Sequence, residues 1–156
     1  TRMKERLLQT AGKLLAPPDQ AIREFSLIKY TLAAEGSAAL ARRPDIESLV
    51  GKGNQQMAED NNRNFAKFME SLFMNFKPEI LVDTALWVFK TYRSHGFSTS
   101  YWDVNLNLWV DMLQTGLSGD AFDQISPFYN WLIVNIPVLT DLSDEAVLNP
   151  PPMPAH

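Results

Sequence analysis

Residues 80–136 constrain the fold most, because they have the pattern of three consecutive apolar helices joined by short breaks. In each segment apolar residues recur at spacings of three and four, which places them along one side of a helix. The first break lies at His95-Gly96-Phe97, and glycine is common just after a helix end. Helices with such wide apolar surfaces need neighbours on more than one side, so we expect them to form the centre of a helical domain.

The same helical spacing covers most of the remaining chain, whereas strand-like alternation of apolar and polar residues is missing. Prolines and glycines separate the segments. We expect helices at about residues 3–15, 18–42, 44–50, 54–76, 78–93, 100–116 and 120–136. This pattern predicts a single all-α bundle of six to seven helices over residues 1–140, followed by a Pro-rich tail or linker over residues 141–156.

The sequence also predicts details at two helix ends. Ser100 and Asp103 have the spacing of a capping box at the start of the helix that follows the first break. Pro127 lacks a backbone N–H, so it should either kink the last helix or begin a new segment capped by Ser126.

The composition argues against several classes of protein. A chain of 156 residues that is 46% hydrophobic suits one domain with a substantial core. The net charge of −4 argues against nucleic-acid binding, which requires a basic surface. No apolar run approaches the roughly 20 residues that span a bilayer, and no signal-peptide pattern is visible. The sequence has no cysteine, which excludes disulfides and thiolate ligands and is compatible with the cytoplasm, where we expect the protein.

No complete catalytic or metal-binding arrangement appears in the sequence. Of its two histidines, His156 is the last residue and His95 has no second ligand at a zinc-site spacing. Gly51-Lys52-Gly53 lacks the spacing of a phosphate-binding loop. The hydroxyl groups of residues 98–100 have no neighbouring base except His95, and helix capping explains them. We therefore expect no catalytic residue, no metal and no enzymatic activity.

Three asparagines are expected to point towards the apolar side of their helices. Asn61 and Asn64 lie at the edge of the apolar stripe of residues 54–76, and Asn105 lies four residues before Trp109. An unpartnered buried amide costs about 1–3 kcal/mol, so each must find a hydrogen bond. Two interpretations stay open: bonds to nearby backbone or loops, or the polar end of a ligand pocket.

The aromatic residues have the same two interpretations. Four tryptophans and nine phenylalanines suit a filled core, but apolar ligands also bind in cavities lined by such side chains. His95 has two interpretations as well, a ligand-binding group or a structural residue that interacts with the negative end of a helix. The candidate pocket residues are Asn61, Phe65, Phe68, Trp87, Tyr92, His95, Trp102 and Trp109.

Over about residues 54–136, the pattern of helices and aromatic residues resembles that of the globin superfamily. Residues 86–97 are similar to the proximal helix of globins and the corner that follows it. Residues 98–117 are similar to the next long helix, and residues 120–136 to the last one. The iron-binding histidine is missing, however. In globins it lies about four to six residues before the apolar residue that follows the corner, and counting back from Phe97 gives residues 91–93 in this chain.

A globin pattern without its haem ligand resembles the non-haem bacterial sensor globins. The resemblance implies a non-enzymatic sensory or regulatory domain, without a cofactor, that forms a homodimer through its last two helices. It also implies an apolar small ligand, a downstream signalling protein as partner, or both. Near the pocket or the dimer interface it places the apolar residues Leu106, Trp109, Leu113 and Trp131.

Two alternatives stay open. One is a haem or tetrapyrrole protein with His95 or Tyr92 as the axial ligand, since tyrosine binds haem iron in catalase. The other is a helical dimerisation module with a filled core, in which the Pro-rich tail connects to a second domain.

Overall fold

The computed structural model describes residues 2–145, and within that range the chain is helical without a strand. The all-α prediction is confirmed, although this range contains eight helices rather than six or seven. The helices are α1 (Arg2–Ala11), α2 (Asp19–Ala41), α3 (Ile46–Val50), α4 (Gln55–Met74), α5 (Pro78–Ser94), α6 (Ser100–Gly116), α7 (Gly119–Val134) and α8 (Ile136–Glu145).

Local sequence explains the ends of α5. Pro78 occupies the first turn, where a missing N–H costs no helical hydrogen bond. Glu79 lies in the first turn and Arg93 in the last, so each charge has the sign that the helix dipole favours. Gly96 follows with φ +101°, which ends the helix in a conformation that glycine adopts without strain.

At two other helix ends the structure differs from what the sequence predicts. α7 continues through Pro127, so no new segment capped by Ser126 begins there. Pro127 and Asp123 both lie on the exposed side, so water can bind the carbonyl that the proline leaves without a donor. At the start of α6, the backbone N–H of Ser100 donates to Ser98 Oγ at 3.1 Å. Ser98 therefore takes the role that the sequence assigned to the pair Ser100 and Asp103.

The core is built around α2, which packs against α4, α6 and α7. Gly36 allows the close approach at this crossing. A Cβ atom there would lie 3.0 Å from Met112 Cε on α6 and 3.6 Å from Asn62 Nδ2 on α4. Elsewhere in the core aromatic rings pack against one another, for example Phe73, which lies edge-on to Phe25 and Phe128 at 5.1 Å in each case.

α5 has its main helix contacts with α8 and α1. Its last turns hold the end of α8, because Lys90 Nζ donates to the Ser143 carbonyl at 3.1 Å and Arg93 pairs with Asp144. Residues 141–145 thus belong to a helix rather than to the expected tail. The Pro-rich stretch of residues 150–154 lies outside the described residues.

The corner between α5 and α6 is attached to the loop between α3 and α4. Asn54 Nδ2 donates to the carbonyls of Val50 and His95, at 2.8 and 2.7 Å. Gly51 has φ +87°, and a Cβ atom there would lie 3.0 Å from the Gly96 carbonyl oxygen. Two glycines with positive φ therefore let two loops approach each other closely.

We predict that Gly51→Ala lowers the free energy of unfolding by about 2–3 kcal/mol, because the alanine needs a strained positive φ and meets the Gly96 carbonyl. Gly53→Ala is the matched control. Gly53 has φ +82° but open space around its Cβ position, so we expect a loss of about 1 kcal/mol. Urea denaturation followed by circular dichroism measures both, and equal losses would contradict the close contact between the loops.

None of the helices between residues 2 and 145 combines the length and the apolar character needed to cross a bilayer.

Candidate functional site

A cavity of about 300 Å³ lies between α4, α5 and α6. The main contacts of α5 are with α1 and α8, which leaves space between α5 and the other two helices. The cavity is about twice as large as an engineered cavity of about 150 Å³ that binds benzene. It is therefore large enough for an organic molecule of roughly a dozen non-hydrogen atoms.

The wall of the cavity is apolar and aromatic, and none of its side chains carries a charge. Phe89 stacks on Trp102 with ring centroids 4.6 Å apart, and Tyr92 meets Trp102 edge-on at 5.7 Å. Burial, with the negative charge of Asp60 as a smaller cause, raises the pKa of Tyr92 to about 12. The phenol stays protonated at neutral pH, so the wall stays uncharged.

Three side chains in this wall have a buried polar atom without a hydrogen-bond partner. These atoms are Thr84 Oγ1, Trp102 Nε1 and Asn105 Oδ1. Each such atom costs free energy, because folding removes its hydrogen bond to water without replacing it. All three atoms are enclosed by protein, so a water-sized molecule in the cavity does not reach them.

A buried amide network fixes the orientation of one of these atoms. Asn62 is fully buried, and its Oδ1 accepts from Asn105 Nδ2 at 2.8 Å and from Trp109 Nε1 at 3.0 Å. Asn62 Nδ2 donates to Ser37 Oγ at 3.3 Å. An indole N–H can only donate, so Asn62 must present its oxygen to α6. Asn105 then uses its amide nitrogen, which leaves its oxygen unpartnered.

Asn61 also lines the cavity and has a partner of its own. Its Nδ2 donates to the Tyr101 hydroxyl at 2.8 Å, and both side chains are buried. Burial raises the pKa of Tyr101. The expectation that Asn61 points inwards is confirmed, whereas Asn64 is half-buried at the cavity edge.

The structure brings six of the eight predicted pocket residues together in this wall: Asn61, Phe65, Phe68, Trp87, Tyr92 and Trp102. Trp109 does not line the cavity. It is fully buried against Phe65 and Tyr129, on the side of α6 where Asn62 lies.

His95 lies outside the cavity as well. It is exposed as the residue after α5, where its N–H donates to the Tyr92 carbonyl at 3.1 Å. Its own carbonyl accepts from Asn54. Both hydrogen bonds use the backbone of His95, and its inclusion among the pocket residues is wrong.

The sequence interpretation missed Thr84 and Asn62. Thr84 lies among apolar residues of α5 and gave no polar pattern. The sequence does contain a pattern that predicts an inward position for Asn62, since Asn62 lies four residues after Ala58 and four before Ala66. Both alanines are buried in the structure. That row of small residues marks the side of α4 on which α2 packs.

No group of three or more histidine, aspartate or glutamate side chains within residues 2–145 is arranged to hold a metal ion. The wall of the cavity also contains no histidine for a haem iron. Tyr92 is less suited to bind iron than an ordinary tyrosine, since its raised pKa disfavours the phenolate.

The chain matches no protein-family model, no curated protein and no solved structure. The similarity to globins therefore stays a prediction from the sequence pattern.

Proposed function

We propose that this chain is a non-enzymatic sensory or regulatory domain of globin-like architecture that binds an apolar small molecule between α4, α5 and α6. The observation on which the proposal depends is the uncharged cavity of about 300 Å³ with its aromatic wall. The cavity reaches the surface beside the half-buried Asn64 and Trp87, which gives a small molecule a route of entry.

The chemistry of the wall supports binding rather than catalysis. Its polar groups are amides, hydroxyls and an indole, without a histidine, carboxylate or amine to act as a general base. A hydroxyl without such a base is a weak nucleophile. The proposal extends, on the globin resemblance alone, to a homodimer formed through the last helices and to a downstream signalling protein in the cytoplasm.

Naphthalene is a suitable first probe, since it is rigid, apolar and has ten non-hydrogen atoms. We expect it to bind the purified chain with a Kd on the order of 0.1 mM by calorimetry. Ala85 is buried in the wall of the cavity, so Ala85→Leu should fill space there and weaken binding at least about tenfold. Ala38→Leu makes the same change at an exposed position of α2 and should leave the Kd unchanged.

The proposal fails if naphthalene does not bind the wild-type chain. It also fails if Ala85→Leu, folded as judged by circular dichroism, binds as tightly as Ala38→Leu. Native mass spectrometry of protein purified without additives provides an independent measurement, and a retained small molecule that Ala85→Leu lacks would support the proposal.

A further inference from the structure

Two depressions of the surface lie between α2 and α6 and share no lining residue with the cavity. The first has a volume of about 460 Å³ and is lined by side chains within residues 28–35 of α2 and 111–116 of α6. The second has a volume of about 470 Å³ and is lined from within residues 39–43 and 103–111. The close approach of Gly36 to Met112 lies between them.

Both depressions open on the same side of this helix pair. On α2 their lining residues follow at intervals of three or four positions, from Ile28 through Glu35 to Arg43. On α6 the same spacing runs from Val104 through Asp111 to Thr115. Residues at this spacing share one face of a helix. The centres of the depressions are about ten positions apart along α2, or about 15 Å, so one helix lying along the pair reaches both.

The floor of each depression, formed by its buried and half-buried lining residues, is apolar. The floor residues are Ile28, Leu32 and Met112 in the first depression, and Ala39, Leu40, Val104 and Leu108 in the second. A partner that covers the two floors with its own apolar side chains removes apolar surface from water on both sides, which favours association.

The rim, formed by the exposed lining residues, carries three carboxylates. Glu35 and Asp111 border the first depression, and Asp103 and Asp111 border the second. None of these carboxylates forms an ion pair within residues 2–145. Arg43 also borders the second depression, but its guanidinium pairs with Asp45 at 2.9 Å. The rim is therefore negatively charged, so it attracts a basic partner and repels an acidic one.

We infer that the α2–α6 face, made of these two depressions and their rim, binds a basic amphipathic helix of a partner protein. The apolar stripe of such a helix fits the two floors, and lysines or arginines beside the stripe meet Glu35, Asp103 and Asp111. The inference rests on the proposed function only for the existence of a protein partner, and it does not depend on a ligand in the cavity.

Three synthetic peptides of about 18 residues, long enough as helices to span both depressions, test this face by calorimetry at low salt. The first is an amphipathic helix of leucine, alanine and lysine. The second has glutamate in place of lysine, and the third has the composition of the first in an order without an apolar stripe. We expect the first peptide to bind with a Kd on the order of 10 μM, and the other two at least about tenfold more weakly.

Asp111→Lys tests where the first peptide binds, because Asp111 is exposed and borders both depressions. We expect the affinity to fall about tenfold, since attraction of the peptide's lysines becomes repulsion. Asp141→Lys is the matched control, as it makes the same change in net charge at an exposed position of α8, whose main contacts are with α5. It should change the Kd by less than about twofold. Circular dichroism verifies that both variants are folded.

Several outcomes would overturn the inference. Equal weakening by Asp111→Lys and Asp141→Lys would show a general attraction to the net charge, and equal binding of the third peptide would show attraction of cations alone. Tight binding of the glutamate peptide, or binding of no peptide, would contradict the charge or the site itself. Sedimentation of the chain alone tests a second copy, and self-association that Asp111→Lys abolishes would assign the face to that copy. Naphthalene binding, measured on the same protein, decides the proposed function separately.

Discussion

Trp109→Ala is expected to lower the free energy of unfolding by about 3–5 kcal/mol, because it removes a fully buried ring from the centre of the domain. Trp109 packs edge-on against Phe65 at 5.6 Å and lies parallel to Tyr129 at 6.2 Å. The substitution also removes the indole N–H that donates to Asn62. Small domains are stable by about 5–15 kcal/mol, so urea denaturation followed by circular dichroism will show the change clearly.

Trp87→Ala is the matched control for this prediction. Trp87 is half-buried in the cavity wall, so its removal leaves a smaller void and should cost about 1–2 kcal/mol. If Trp109→Ala lowers the free energy of unfolding no more than Trp87→Ala does, the burial of Trp109 in the structure is contradicted.

Asn62→Leu is expected to cost about 2–5 kcal/mol although leucine has nearly the same size. The change leaves Asn105 Nδ2 and Trp109 Nε1 buried without an acceptor, and each such group costs about 1–3 kcal/mol. Asn64→Leu, two residues along α4, is the control. Asn64 is half-buried, and we expect its replacement to cost less than about 1 kcal/mol.

A double-mutant cycle identifies the cause of the loss at Asn62. Asn105→Leu removes one of the two donors that Asn62→Leu leaves unpartnered, so the double variant should lose less stability than the sum of the single losses. The two single losses will instead add if the amides contribute independently, and that result would contradict the network. Denaturation of the four proteins under one set of conditions provides the measurement.

The helices could be predicted from the sequence because their causes are local. Apolar spacing, Pro78 in the first turn and Gly96 after the last turn place α5 correctly within a residue or two. A new helical segment does not begin at Pro127, and the reason is physical. A helix continues through a proline when the freed carbonyl faces water, and that depends on which side of α7 is packed.

In the candidate site too, local spacing predicts some positions, and helix packing decides the others. Spacing along α4 correctly placed Asn61, Phe65 and Phe68 on the inner side, and all three line the cavity. Spacing could not distinguish Trp102 from Trp109, since seven residues separate them and both point inwards from α6. Trp102 faces the cavity and Trp109 faces Asn62 because α6 has different neighbours along its length.

The sequence by itself determined that residues 2–145 are all-α and rich in aromatic side chains, because helix propensity, apolar period and composition act over short distances. Only the tertiary structure decided that α5 packs on α1 and α8, which leaves an uncharged cavity beside α4 and α6. It also decided that Asn62 orients Asn105, so that the Asn105 amide oxygen is left without a partner. These features depend on contacts between residues more than 40 positions apart, and no local pattern specifies them.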